Sequence, residues 1–118
     1  MAREFDLERR TTDFAKSVIR FCKSLPVNSI NMRLISQTVG SAGSVGANYR
    51  EANDALGKKD FVERLRIARR EAKECIHWLE LIAVANENHD DEVKPLIKEG
   101  EELKAILSTI ITKQQSGN

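Results

Sequence analysis

Apolar positions recur along this chain at alternating steps of three and four, the spacing that puts them on one face of a helix. Residues 4–24 carry Leu7, Phe14, Val18 and Phe21 on one stripe, Leu25 continues it just beyond, and Pro26 stops the run. The longest unbroken pattern lies in 58–86, where Phe61, Leu65, Ala68, Ala72, Cys75, Leu79 and Ile82 form an a/d-type seam. A second row, Ile67, Ile76, Trp78 and Ala83, widens that face beyond what a two-stranded coiled coil needs. Residues 91–114 repeat the pattern with Leu96, Leu103, Leu107 and Ile110, widened by Ile97, Ile106 and Ile111.

Residues 29–56 are ambiguous by this criterion, because Gly40, Gly43 and Gly46 stand three apart and each interior glycine costs a helix about 1 kcal/mol. The segment GSAGSVG has the composition of a loop. Its flanks are helix formers, however, and it lacks proline and turn dipeptides, so the spacing predicts one continuous helix. Gly40, Ser44 and Ala47 are then expected to mark a close crossing with a neighbouring helix. Short links at Pro26–Asn28, near Gly57 and at Asn86–Asp90 imply antiparallel neighbours, hence an all-α, up-down-up-down four-helix bundle. Pro95 is expected in the first turn of the last helix, where its missing N–H is not needed. The 118 residues suit one domain, 1–118, with one core.

Charge changes this picture only when read by position. The formal net charge is +1, from 19 basic and 18 acidic residues. Residues 1–78 hold 15 basic and 10 acidic side chains, and 79–118 hold 4 and 8. A basic third segment beside an acidic tail suits packing between neighbouring helices or between adjacent subunits. Cys22 and Cys75 are too few and too far apart for a disulfide framework and read as reduced core thiols. With no signal-like stretch and no long apolar run, a soluble cytoplasmic protein without membrane association is expected.

Two polar constellations stand out. Gln37, Ser41, Ser44, Asn48 and Glu51 follow steps of four, three, four and three along one face of the second helix. The pattern is open to two readings: a strip that recognises a ligand or partner, or a hydrogen-bond network between helices or subunits that fixes register. On the second reading Asn48 and Glu51 are at least partly buried. Lys59, Arg66, Arg70, Lys73 and His77 lie on one side of the third helix, with Arg69 adjacent. They form either a phosphate-tracking stripe or a solvated face balanced by Glu63, Glu71 and Glu74.

Catalytic signatures are weak. GSAGSVG lacks the lysine and hydroxyl of a P-loop, and its glycine spacing does not fit dinucleotide binding. Glu74 and His77 form one E-x-x-H spacing, whereas a di-iron bundle needs two plus further carboxylates. No catalytic residue, cofactor or metal site is therefore expected.

The stretch from Ser36 to Glu80, with Gln37, Ser44, Asn48 and Glu51 on the second helix and Phe61, Ile67, Ala68 and Glu74 on the third, resembles the bacterial 23S rRNA intervening-sequence protein family. The resemblance implies a left-handed four-helix bundle that assembles as a homopentamer, with no established catalytic residue. It also implies kinship with the accessory protein of diversity-generating retroelements, a basic pentamer that acts with nucleic acid. The combined expectation is a non-enzymatic, self-associating scaffold or adaptor with a possible protein partner, and the alternative is an accessory protein that binds RNA or DNA.

Overall fold

The computed structural model describes residues 6–116 and contains four long helices. They are α1 (Leu7–Lys23), α2 (Ser29–Asn53), α3 (Lys58–Ala85) and α4 (Asp90–Ser116), with one 3-10 turn, Glu87–His89, leading into α4. Each helix packs on the next and α1 packs on α4, which closes a four-helix bundle. The molecule measures 49 × 26 × 20 Å, an elongated shape set by helices of 25–28 residues at about 1.5 Å rise each. Residue 4, where the first helix was expected to begin, lies outside the described residues.

Local chemistry fixes the ends. Asp6 caps α1 by accepting from the Arg9 amide at 3.2 Å, and Asn28 caps α2 by accepting from the Asn31 amide at 2.8 Å. Gly57 opens α3 in extended backbone without a side-chain cap. Pro95 is the sixth residue of α4, one turn deeper than expected, because the helix already starts at Asp90. The in-helix bond this removes is the one to the Asp91 carbonyl, and both residues are exposed, so solvent can serve that carbonyl.

The seven-residue seam of α3 is buried as expected except at Phe61, which is half-buried while Val62 takes the inward position. Leu65, Ala68, Ala72, Cys75, Leu79 and Ile82 are fully enclosed. In α4 the inward residues are Val93, Leu103, Leu107 and Ile111, and Leu96 and Ile110 flank them. Cys22 and Cys75 are free, buried thiols.

Helix α2 runs without a break through all three glycines. The close crossing exists, but at Gly46: a Cβ there would lie 3.0 Å from Thr11 Oγ1 on α1. Gly40 has nothing within 4 Å of where a Cβ would stand, Ala47 is exposed and Ser44 is half-buried, so the expected trio does not carry it. A second close approach, absent from the sequence reading, is Gly100 on α4, whose Cβ would lie 2.9 Å from Ile76 Cγ1.

Candidate functional site

The polar row on α2 runs from the outward side, at Gln37 and Glu51, through half-buried Ser44 and Asn48 to buried Ser41, and makes most of its bonds within its own helix. Ser41 is buried and donates to the Gln37 and Thr38 carbonyls at 3.0 and 3.1 Å. It also lies beside the Cys75 thiol. Asn48, half-buried, donates to the Ser44 carbonyl at 2.9 Å. Gln37 and Glu51 are exposed in the single chain, so Glu51 takes no part in a network between helices of one bundle. Within the bundle only Ser41 of the five reaches another helix, at the Cys75 thiol of α3, because serine and asparagine at these positions otherwise find the carbonyl one turn back.

Other buried polar groups also link helices. Asn31 and Asn86 exchange amide hydrogen bonds of 3.0 and 2.9 Å, and the Cys75 thiol donates to the Thr38 carbonyl at 3.8 Å. Sequence spacing did not single them out, since an isolated asparagine near a helix end reads as a cap.

The third-helix stripe is rearranged. Arg66, Arg69, Arg70 and Lys73 line a groove of about 420 Å³ between α3 and α4, joined there by Lys104 and Ser108 of α4. Arg69 is half-buried and donates to Ser108 Oγ at 3.3 Å. Lys59 and His77 are exposed on α3 outside this groove; His77 instead meets Trp78 edge-on at 4.9 Å. Lys104 and Ser108 were not legible because nothing in α4 alone marks which of its polar residues faces the α3 cations.

The acidic residues of α4 do not neutralise α3. Glu99 and Glu102 accept from Arg10 of α1 at 2.7 to 2.9 Å, Asp90 pairs with Lys94, and Glu92 lies 2.6 Å from His89. Only Glu101 reaches a groove cation, Lys104, at 3.1 Å, and Glu63 of α3 reaches Arg66 at 3.8 Å. The expected basic-against-acidic packing within the bundle is thus an α1–α4 contact, not an α3–α4 one.

Desolvation in the partly enclosed surface of α3 raises the Glu71 carboxyl above its usual range, with Glu74 adding to the effect and Arg70 opposing it. Burial pushes the Cys22 thiol up to about 11 and the Cys75 thiol up to about 12, so neither is a nucleophile near neutral pH. Glu74 and His77 are both exposed, and among the described residues no three of His, Cys, Asp and Glu gather where they could hold a metal ion. No described helix is long and apolar enough to cross a membrane.

Residues 3–109 match the family model of the 23S rRNA-intervening sequence protein. The chain belongs to that family. Its fold is similar to the crystal structure of a protein of unknown function from the S23 ribosomal protein family of Bacteroides thetaiotaomicron, with a TM-score of 0.77 and 29% identity over 88% of this chain and 96% of that one. No curated protein matches. The family thus agrees with the resemblance read from the second and third helices, and neither comparison assigns an activity.

Proposed function

We propose that this family member is a non-catalytic scaffold or adaptor that assembles with copies of itself, as a ring of five, through the outward face of α2. The supporting observation is Gly40 and Gly43. Each costs the helix about 1 kcal/mol relative to alanine, yet among the described residues nothing beyond the helix's own backbone lies within 4 Å of where their Cβ atoms would be. The free space serves no contact inside the bundle, so it fits a close approach by something outside it.

The surroundings suit a second copy. No residue between Arg33 and Arg50 is charged, in a chain that is 31% charged, so the exposed Ser36, Gln37, Gly40, Gly43 and Ala47 form an uncharged strip that is inexpensive to desolvate. The half-buried Ser44 and Asn48 border it. At the end of the bundle where Asn31 meets Asn86, Val27, Ile30, Met32 and Val84 are 62–89% exposed, an apolar surface that association would cover.

Light scattering on the full chain tests this reading. The expected mass is about five times 13.3 kDa, and little dependence on salt is expected because the strip is uncharged. Gly43→Glu places a charge on the strip without touching the bundle, and is expected to leave a folded monomer. A monomeric wild-type chain at all concentrations overturns the proposal.

A further inference from the structure

We propose that the groove between α3 and α4 binds the phosphodiester backbone of a single-stranded nucleic acid. Its floor and walls bring five cations together, Arg66, Arg69, Arg70 and Lys73 from one helix and Lys104 from the next, with the Ser108 hydroxyl beside them. Like charges crowded at a helix seam repel one another, and carboxylates interleaved from the facing helix would relieve that repulsion. The acids of α4 are close by in sequence, but Glu99 and Glu102 turn to Arg10 instead. The two carboxylates that do touch groove cations, Glu63 and Glu101, are exposed and each meets a single side chain. Arg69, Arg70 and Lys73 form no ion pair with a carboxylate among the described residues, although Arg70 is near enough to Glu71 to act on its charge.

The chemistry of the lining matches a phosphate rather than a carboxylate-bearing small molecule. Guanidinium groups supply forked donors, lysines supply point charges, and a serine hydroxyl adds a neutral donor. The Arg69–Ser108 bond of 3.3 Å holds one fork half-buried and oriented at the seam, so less freedom is lost when an anion arrives. From Arg66 to Lys73 the cations run about 10 Å along α3, room for two or three successive phosphates. Packed helix axes lie only about 8–10 Å apart, so the groove has the width of one strand's backbone, which a flexible single strand can follow along the seam. The lining holds no aromatic ring, so the contact is with backbone and indifferent to sequence.

Fluorescence anisotropy on the full chain, with a labelled 12-nucleotide homopolymer as probe, decides the matter whatever the oligomeric state, with salt slopes stated per protomer. Three phosphate contacts on a single strand predict an affinity loss of roughly 20-fold between 50 and 200 mM salt. Lys104→Gln is expected to weaken binding severalfold and to flatten the salt slope by about 0.7, whereas Lys59→Gln, outside the groove, changes neither. The triple variant Arg69→Gln/Arg70→Gln/Lys73→Gln is expected to abolish binding while its thermal melt shows it folded. Four results overturn the proposal: no binding at 50 mM salt, equal losses from Lys59→Gln and Lys104→Gln, tighter binding of a duplex than of the single strand, or displacement by polyglutamate as effective as by unlabelled strand.

Discussion

Asn31 and Asn86 form a reciprocal amide pair: each side-chain N–H donates to the other's carbonyl oxygen, at 3.0 and 2.9 Å, between the start of α2 and the end of α3. Each also donates to a backbone carbonyl, Asn31 to Pro26 at 2.9 Å and Asn86 to Ile82 at 3.0 Å. The pair therefore joins three things at once: the α1–α2 turn, the first turn of α2 and the C-cap of α3. Both residues are buried, so removing one strands the other in a dry environment.

Asn31→Ala and Asn86→Ala are each expected to cost about 2–3 kcal/mol, and the double variant much less than the sum, with a coupling of about 1–2 kcal/mol. Urea denaturation of the four-member cycle measures this. Additive losses would show that the amides act independently.

The four glycines in helix interiors separate into two pairs. Gly40→Ala and Gly43→Ala are expected to raise subunit stability by up to about 1 kcal/mol each, since the added methyl meets nothing and the helix gains propensity. Gly100→Ala drives a methyl to 2.9 Å from Ile76 Cγ1, and Gly46→Ala drives one to 3.0 Å from Thr11 Oγ1. There the gain in propensity is offset by overpacking of about 1–3 kcal/mol, so a net loss is expected. Because assembly adds its own stabilisation, the comparison is made in the monomeric Gly43→Glu background for Gly40, Gly46 and Gly100, and by chevron kinetics at low protein concentration for Gly43.

Helix spacing made the bundle legible: the α3 seam needed only its Phe61 position exchanged for Val62, and all three connections fall where proline, glycine and asparagine place them. The candidate surfaces were only half legible, for a geometric reason. Steps of three and four show which residues of one helix share a face, so Arg66, Arg70 and Lys73 could be grouped. They do not show what faces them from another helix, so Lys104 and Ser108 were missed, and Glu99 and Glu102 were not assigned to Arg10. Glycine roles were illegible for the same reason, since Gly40 and Gly46 differ only in what lies across from them.

Cys22 and Cys75 are expected to resist an aromatic disulfide reagent at pH 8. Burial raises both thiols, to about 11 and about 12, so the folded chain holds them protonated and out of reach. Their contribution to stability is complete below the ordinary thiol value near 9 and is lost as pH rises toward those folded values, because only the unfolded chain ionises in between. Labelling in buffer should track local opening, with both thiols reacting promptly in urea. Prompt reaction of either in the absence of denaturant would contradict the packing.

Glu71 gives a pH effect of the same sign in the acid range. Its raised carboxyl favours the protonated form in the folded chain, so its contribution is greatest below the ordinary carboxylate range and is lost as pH rises through the elevated folded value. Glu71→Gln removes the penalty of a partly desolvated charge and the repulsion from Glu74. The variant is expected to melt a degree or two higher than the parent at pH 7, by roughly the amount a few tenths of a kcal/mol give, and no higher at pH 4. An equal difference at both pH values would assign the effect to helix propensity instead.

Arg10 governs the least extensively packed side of the bundle. Helix α1 meets α4 over less surface than it meets α2, and a groove of about 660 Å³ floored by Phe14 and Leu96 runs along that seam. Across it, Arg10 donates to both Glu99 carboxylate oxygens at 2.7 and 2.9 Å and to Glu102 at 2.8 Å. A lysine cannot reproduce that fork, so Arg10→Lys should recover little of what Arg10→Met loses, about 1 kcal/mol once exposure of the three side chains is discounted. The loss is expected to be local. Hydrogen exchange in α1 should accelerate severalfold while amides at the α2–α3 contact, the most extensive in the molecule, keep their protection, because α1 opens from α4 before the α2–α3 pair separates. Uniform acceleration through all four helices would show instead that the bundle opens as one unit and that the Arg10 fork stabilises it globally.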